Sequence, residues 1–115
     1  MDLRNPRLAK LPLPTGGFWE DLCFLAQQAA ELAIKAVYQQ QGWLFPNVHD
    51  LDRLLNGLAS NGLTIPSDVQ RADELSVYAA QARYPGFAPV ATQADHADAV
   101  IIADAVVAWA KTQVP

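Results

Sequence analysis

Residues 99–110, AVIIADAVVAWA, carry one charged side chain, Asp104, in twelve positions. No other stretch of the chain narrows the choice of fold as much. It is too short to span a bilayer, which takes about 20 apolar residues. A helix lying on a protein surface keeps one polar side, whereas a helix apolar nearly all round is central in a core or shared with another chain. In a chain of 115 residues, enough for one domain but not two, this segment demands helical neighbours on several sides. A homodimer or other assembly is therefore expected.

Three further segments read as helices. In FWEDLCFLAQQAAELAIKAVYQQQ, residues 18–41, Leu22, Leu25, Ala26, Ala29, Ala33, Ala36 and Val37 recur at spacings of three and four, an α-helical stripe. Glu20 and Asp21 fall in its first turn, where the helix dipole favours negative charge, and Gly42 closes it. In NVHDLDRLLNGLASNG, Leu51, Leu54, Leu55 and Leu58 repeat the pattern, with Asn47 as the expected N-cap and Asn61-Gly62 as the exit. His49 is thereby expected in the first turn of that helix. The third runs from Ser67, as N-cap, to about Arg83, with Val69, Ala72, Leu75, Tyr78 or Ala79, and Ala82 inward. Pro85 removes an amide hydrogen and pushes Tyr84 out of the α region, so this helix should end there. Thr92 then opens the last helix, 92–112, with Asp95 completing an approximate capping box. No strand candidate survives: LTIP at 63–66 is short and ends in proline. The expected fold is all-α, an up-and-down bundle of four main helices over residues 18–115, after an irregular segment 1–17 broken by three prolines and Gly16-Gly17.

Charge and cysteine usage exclude several function classes. The net charge is −4, but residues 1–10 are a local +2, which leaves five basic and eleven acidic residues, a net −6, on the rest. Such a surface argues against broad nucleic-acid binding, which rests on neutralising phosphates. A small anion site built from two or three basic groups stays open. Cys23 is the only cysteine, flanked by Leu22 and Phe24; a buried thiol in a reducing cytoplasm is the simple reading. No membrane association and no cofactor are expected. His49 and His96 fall on different helices, so no classical zinc site is expected either.

A short set of polar residues remains. Gln27, Glu31 and Lys35 stand four apart on one helix face, and Glu31 before Lys35 is the favourable order for an ion pair. Either that pair is solvated, or Lys35 points toward the loop 42–49. His49 either hydrogen-bonds locally or exchanges protons, since histidine titrates near neutrality. His96, between Asp95 and Asp98, reads as a surface residue. Arg83 either caps the carbonyls of its helix or binds a phosphate or carboxylate in a forked geometry, helped by Lys35 or another helix's N-terminus. Tyr84 beside it packs over the next loop in the first case.

DLCFLAQQAAELAIKA at 21–36, FPNVHDLDRLL at 45–55 and YAAQARYPG at 78–86, in this order and spacing, resemble the HEPN domain family of prokaryotes, as does the closing helix. The resemblance covers about residues 20–112 and implies an all-α bundle that commonly dimerises. Members are often encoded beside a minimal nucleotidyltransferase and form two-component complexes with it; for this chain a toxin–antitoxin pair is the expected form of such a complex. Nucleotide binding gave the family its name. Many members are metal-independent ribonucleases that use an arginine, four to six residues, then a histidine. That motif is absent: Arg83 and His96 are separated by twelve residues, and His49 precedes Arg53. The chain also has Glu31-Leu32-Ala33 where relatives usually read Glu-Lys-Ala, and Val48 where they place threonine. Its first family helix is expected to be shortened or missing. Lys35, His49, Asp50, Arg83 and Tyr84 fall on positions that match the motifs of the nucleotidyltransferase-associated type, and they are the candidate ligand-binding residues. The expectation is a non-catalytic subunit that binds a nucleotide or a nucleotidyltransferase partner. The alternative is a ribonuclease with a non-standard site, His49 and Arg83, and RNA as substrate.

Overall fold

The computed structural model describes residues 17–79 and 90–114. Helix α1 spans Gly17–Gln41 and α2 Leu51–Ser60. Helix α3, Ser67–Gln70, runs without a break into a 3-10 helix, Arg71–Ala79. Helix α4 spans Gln93–Gln113. Among the described residues there is no strand, and the architecture is the all-α bundle the sequence implies. No helix among them is long and apolar enough to cross a membrane.

Helices α1 and α4 form the long axis. Leu22 and Leu25 lie beside Val100 and Ala103, and Ala33 and Ala36 beside Val107 and Ala110, so the two helices run in the same direction. The 3-10 helix runs against both: Arg71 reaches Asp98 at 2.9 Å, and Tyr78 borders Asp95. Helix α2 closes the bundle near the end of α1. Its Leu51, Leu54, Leu55 and Leu58 are all buried, as their spacing requires. Burying each such side chain stabilises the fold by roughly 1.5–3 kcal/mol. Tyr38, fully buried, donates its hydroxyl hydrogen to the Leu54 carbonyl at 2.6 Å. That approach requires glycine at position 57, because a Cβ there would fall on the Tyr38 hydroxyl.

The helix ends combine agreement and correction. Gly42, at φ +76°, ends α1 in the left-handed region that glycine occupies without steric cost. The capping box of α4 forms in full: the Thr92 side chain accepts from the Asp95 amide at 3.1 Å, and Asp95 accepts from the Thr92 amide at 2.9 Å. Asn47 is not the cap of α2. Asp50 is, since its Oδ1 accepts from the amides of Asp52 and Arg53 at 3.0 and 3.5 Å. His49 therefore precedes α2 instead of sitting in its first turn. Nor does Ser67 cap α3. Pro66 holds that position with no side-chain bond, and Ser67 is the first helical residue.

The inward face of α1 is rotated from the expected stripe. Cys23, Ala26, Ala30, Ile34, Val37 and Tyr38 are buried, whereas Leu25 is 54% exposed and Ala29 is exposed. Of the expected stripe, Ala26 and Val37 are buried, Leu22, Ala33 and Ala36 are half-buried beside α4, and Leu25 and Ala29 are exposed, so the period was right and the phase was off by part of a turn. Segment 71–79 departs from the expected α-helix for a reason visible in its sequence. Val69, Ala72, Leu75 and Tyr78 recur strictly every three residues. At about 3.6 residues per turn that series would drift half-way around the helix, while at 3.0 it stays in line. Val69, Ala72 and Leu75 are buried and Tyr78 half-buried. Arg71 and Glu74, also three apart, pair at 3.0 Å. The expected continuation through Ala82 and Arg83, and the segment 1–16, lie outside the described residues.

Candidate functional site

The polar residues of α1 converge with the loop ahead of α2 on one carboxylate. Glu31 sits on the inward face of α1, between Ala30 and Ile34, and is buried. Its Oε1 accepts from Gln27 Nε2 at 2.7 Å and its Oε2 from Lys35 Nζ at 2.9 Å. His49 Nδ1 lies 3.0 Å from both oxygens. Lys35 also stands over the Phe45 ring, 5.0 Å from its centroid, so the ammonium has an anion on one side and a π-face on the other. Phe45 in turn packs edge-on against Tyr38, with ring centroids 6.0 Å apart. The cluster thus rests on the tyrosine that pins α1 to α2.

This arrangement decides between the two readings of the Glu31–Lys35 pair. Their side chains are 6% and 17% exposed, so the pair is not a solvated one. Lys35 does face the 42–49 loop. Burial pushes the Glu31 carboxyl up, but the hydrogen bonds from Lys35, Gln27 and His49 together hold it below its ordinary value. Glu31 is consequently an anion fixed between donors from two elements, and it cancels one positive charge. His49 is more open, with 41% of its side chain exposed. With Nδ1 committed to Glu31, Nε2 is the ring nitrogen left for other partners. Gln27 Oε1 is buried and has no hydrogen-bond partner among the described residues.

Of the sequence candidates, the structure brings Lys35 and His49 together. Asp50 is exposed and its carboxylate caps α2. Arg83 and Tyr84 lie outside the described residues. Glu31 and Gln27 were not among the candidates, yet they organise the cluster. The available signal was the ladder Gln27, Glu31, Lys35 interrupting the apolar series Ala26, Ala30, Ile34 on one face.

The same face of α1 carries other polar anchors. Glu20, buried, accepts from the Ala91 amide at 2.6 Å, 71 positions along the chain. Tyr78 is pushed up to about 12 by burial first and by Cys23 and nearby carboxylates after that, and burial also raises the Cys23 thiol. His96 is half-buried rather than a plain surface residue, its ring 5.5 Å from that of Trp19. Arg71 bridges Glu74 and Asp98, which raise its already high pKa. Among the described residues no group of three His, Cys, Asp or Glu could hold a metal ion.

Comparison with curated proteins and with solved structures gave no match. Comparison with family models did: the HEPN domain matches residues 7–113, nearly the whole chain and every element that builds the Glu31 cluster. With its all-α bundle and its motifs in register, the chain belongs to the HEPN domain family.

Proposed function

We propose that this HEPN-domain protein is a non-catalytic subunit that binds a nucleotide and works with a minimal nucleotidyltransferase, the two forming a toxin–antitoxin type of pair. The observation that carries this reading is the convergence of Lys35 Nζ and His49 Nδ1 on the single buried carboxylate of Glu31. A buried anion holds two nitrogen-bearing side chains from separate elements in one place, and fixed donors cost little to order when a ligand arrives. Because Glu31 offsets the Lys35 charge, the reading assigns the forked contact to the ligand phosphate to Arg83, with Tyr84 beside it. The absent arginine-to-histidine spacing favours binding over cleavage.

Calorimetric titration of the purified protein with nucleoside mono-, di- and triphosphates tests it, alongside co-purification with a nucleotidyltransferase encoded beside it. Binding of one nucleotide, weakened about tenfold in Lys35→Ala and His49→Ala, is the expected result. A protein that takes up no nucleotide and retains no nucleotidyltransferase rules the reading out.

One observation favours the ribonuclease reading. A histidine whose Nδ1 is held by a carboxylate, with no hydrogen bond from Nε2 among the described residues, is oriented for proton transfer. His49 would take the proton of the ribose 2′-hydroxyl, or give one to the departing 5′-oxygen, as the 2′-oxygen attacks the adjacent phosphate and the P–O5′ bond breaks to leave a 2′,3′-cyclic phosphate and a free 5′-hydroxyl, with Arg83 stabilising the charge that develops. Cleavage of RNA by the wild type, lost in both His49→Ala and Arg83→Ala, would select this reading.

A further inference from the structure

Helices α1 and α4 leave a shallow apolar groove between them along their outer side. Its first half lies near the start of α1, where Leu22, Leu25 and Ala29 face Val100 and Ala103. Leu25 is 54% exposed and Val100 37%, so this half presents large apolar side chains to water. Asp104 stands at its far rim, exposed and without a hydrogen-bond or ion-pair partner among the described residues. The second half continues between Ala33, Ala36, Val107 and Ala110, and its charged residue is Lys111. One half of the groove is thus apolar with an acidic rim, and the other apolar with a basic one.

We propose that the occupant of the first half is the chain's own residues 1–16, leucines on the groove and a basic side chain on Asp104. Their sequence, MDLRNPRLAKLPLPTG, supplies Leu3, Leu8, Leu11 and Leu13, with Arg4, Arg7 and Lys10 against the single acid Asp2. They join α1 at Gly17, five residues before Leu22, where the groove begins. The length fits as well. Asp104 stands level with Ala29, about 18 Å along α1 from Gly17. Lys10, seven residues before Gly17, spans about 23 Å if extended. Arg7, at ten residues, spans about 20 Å at the 3-10 rise, and Arg4, at thirteen, about 19.5 Å at the α-helical rise. One of the three therefore meets Asp104 however the segment is wound. Lys111 repels the same basic residues, which leaves the second half of the groove open. Attachment to α1 keeps the segment at a millimolar effective concentration, so a modest apolar contact with one ion pair is enough to hold it.

The test is amide hydrogen exchange of the full chain, read by mass spectrometry on peptides from residues 1–16 at low ionic strength, where surface charges are least screened. In wild type these amides should exchange more slowly than in a free peptide of the same sequence, and equally so at low and high protein concentration. Asp104→Lys turns the attraction into repulsion and should quicken their exchange roughly fivefold, while the amides of α2 keep their wild-type rates and report an intact fold. Adding Arg4→Glu, Arg7→Glu and Lys10→Glu to Asp104→Lys should restore the slow exchange, which separates a charge effect from a folding defect. Wild-type residues 1–16 that exchange like the free peptide overturn the proposal, as does an Asp104→Lys chain with unchanged exchange. Protection that appears only at high protein concentration also overturns it, and assigns the groove to a second chain.

Discussion

Replacing Glu31 by glutamine keeps the side chain's size and removes its charge. The structure sets the cost. Lys35, at 17% exposure, loses its counter-ion, Gln27 Nε2 and His49 Nδ1 lose an ionised acceptor, and the new amide presents its own hydrogens to a cluster that already supplies donors. Hydrogen bonds to charged groups are worth about 1.5–3 kcal/mol each, and breaking a buried pair costs about 3–5 kcal/mol. Lys35 is not fully buried and can partly re-solvate, so a loss of about 2–3 kcal/mol is expected. Urea denaturation followed by circular dichroism should show a lower midpoint at unchanged slope. A second readout is pH. The folded Glu31 carboxyl lies below its ordinary 4.5, so its stabilisation is complete above that value and disappears as pH falls through the lower folded one. Wild type should therefore lose stability below about pH 4.5 more steeply than Glu31→Gln does. Lys35→Met combined with Glu31→Gln should cost about 1–3 kcal/mol less than the sum of the two single changes. A Glu31→Gln protein within about 0.5 kcal/mol of wild type, with the same acid limb, would refute the reasoning.

Three other outcomes follow from the packing. Gly57→Ala gains about 1 kcal/mol of helix propensity but drives a methyl into the Tyr38 hydroxyl; thermal melts should show net destabilisation, and Tyr38→Phe in the same chain should recover part of it. Tyr78 is favoured in its neutral form, so its contribution holds up to the ordinary phenol value of 10 and is lost as pH rises through about 12; Tyr78→Phe should flatten that alkaline limb in a pH series of denaturation curves. Glu20→Ala leaves the buried Ala91 amide without its acceptor, at a cost of about 1–3 kcal/mol, and amide hydrogen exchange at Ala91 should quicken.

The parts of the fold that were legible are those that depend on neighbours a few residues apart. The four leucines of α2, the Thr92–Asp95 box and the turn at Gly42 all follow from local spacing and local chemistry. Rotation of α1 did not. Its inner and outer stripes are both alanine-rich, so the period was clear and the phase was not. Only the large side chains of Ile34 and Tyr38 separate the two faces. The cap of α2 was misplaced by three residues because Asn47 and Asp50 are both good caps, and the choice rests on which one the packed leucines leave at the helix start. The Glu31 cluster was half-readable: the ladder was visible, but its burial depends on His49 arriving from another element, 18 positions on.

The 3-10 helix has a consequence for reach. Nine residues rise about 18 Å at 2.0 Å each, against about 13.5 Å if wound as an α-helix. The ends of this segment are fixed, by Arg71 on Asp98 at one and by Tyr78 beside Cys23 at the other. Between those two anchors, seven residues apart, an α-helical version would fall short by about 3.5 Å, well over half a turn. The segment therefore works as a spacer drawn to length. Its tighter winding is what lets a short strut cross from α4 to the head of α1, and an inserted residue here should be absorbed by relaxation toward the α-helix.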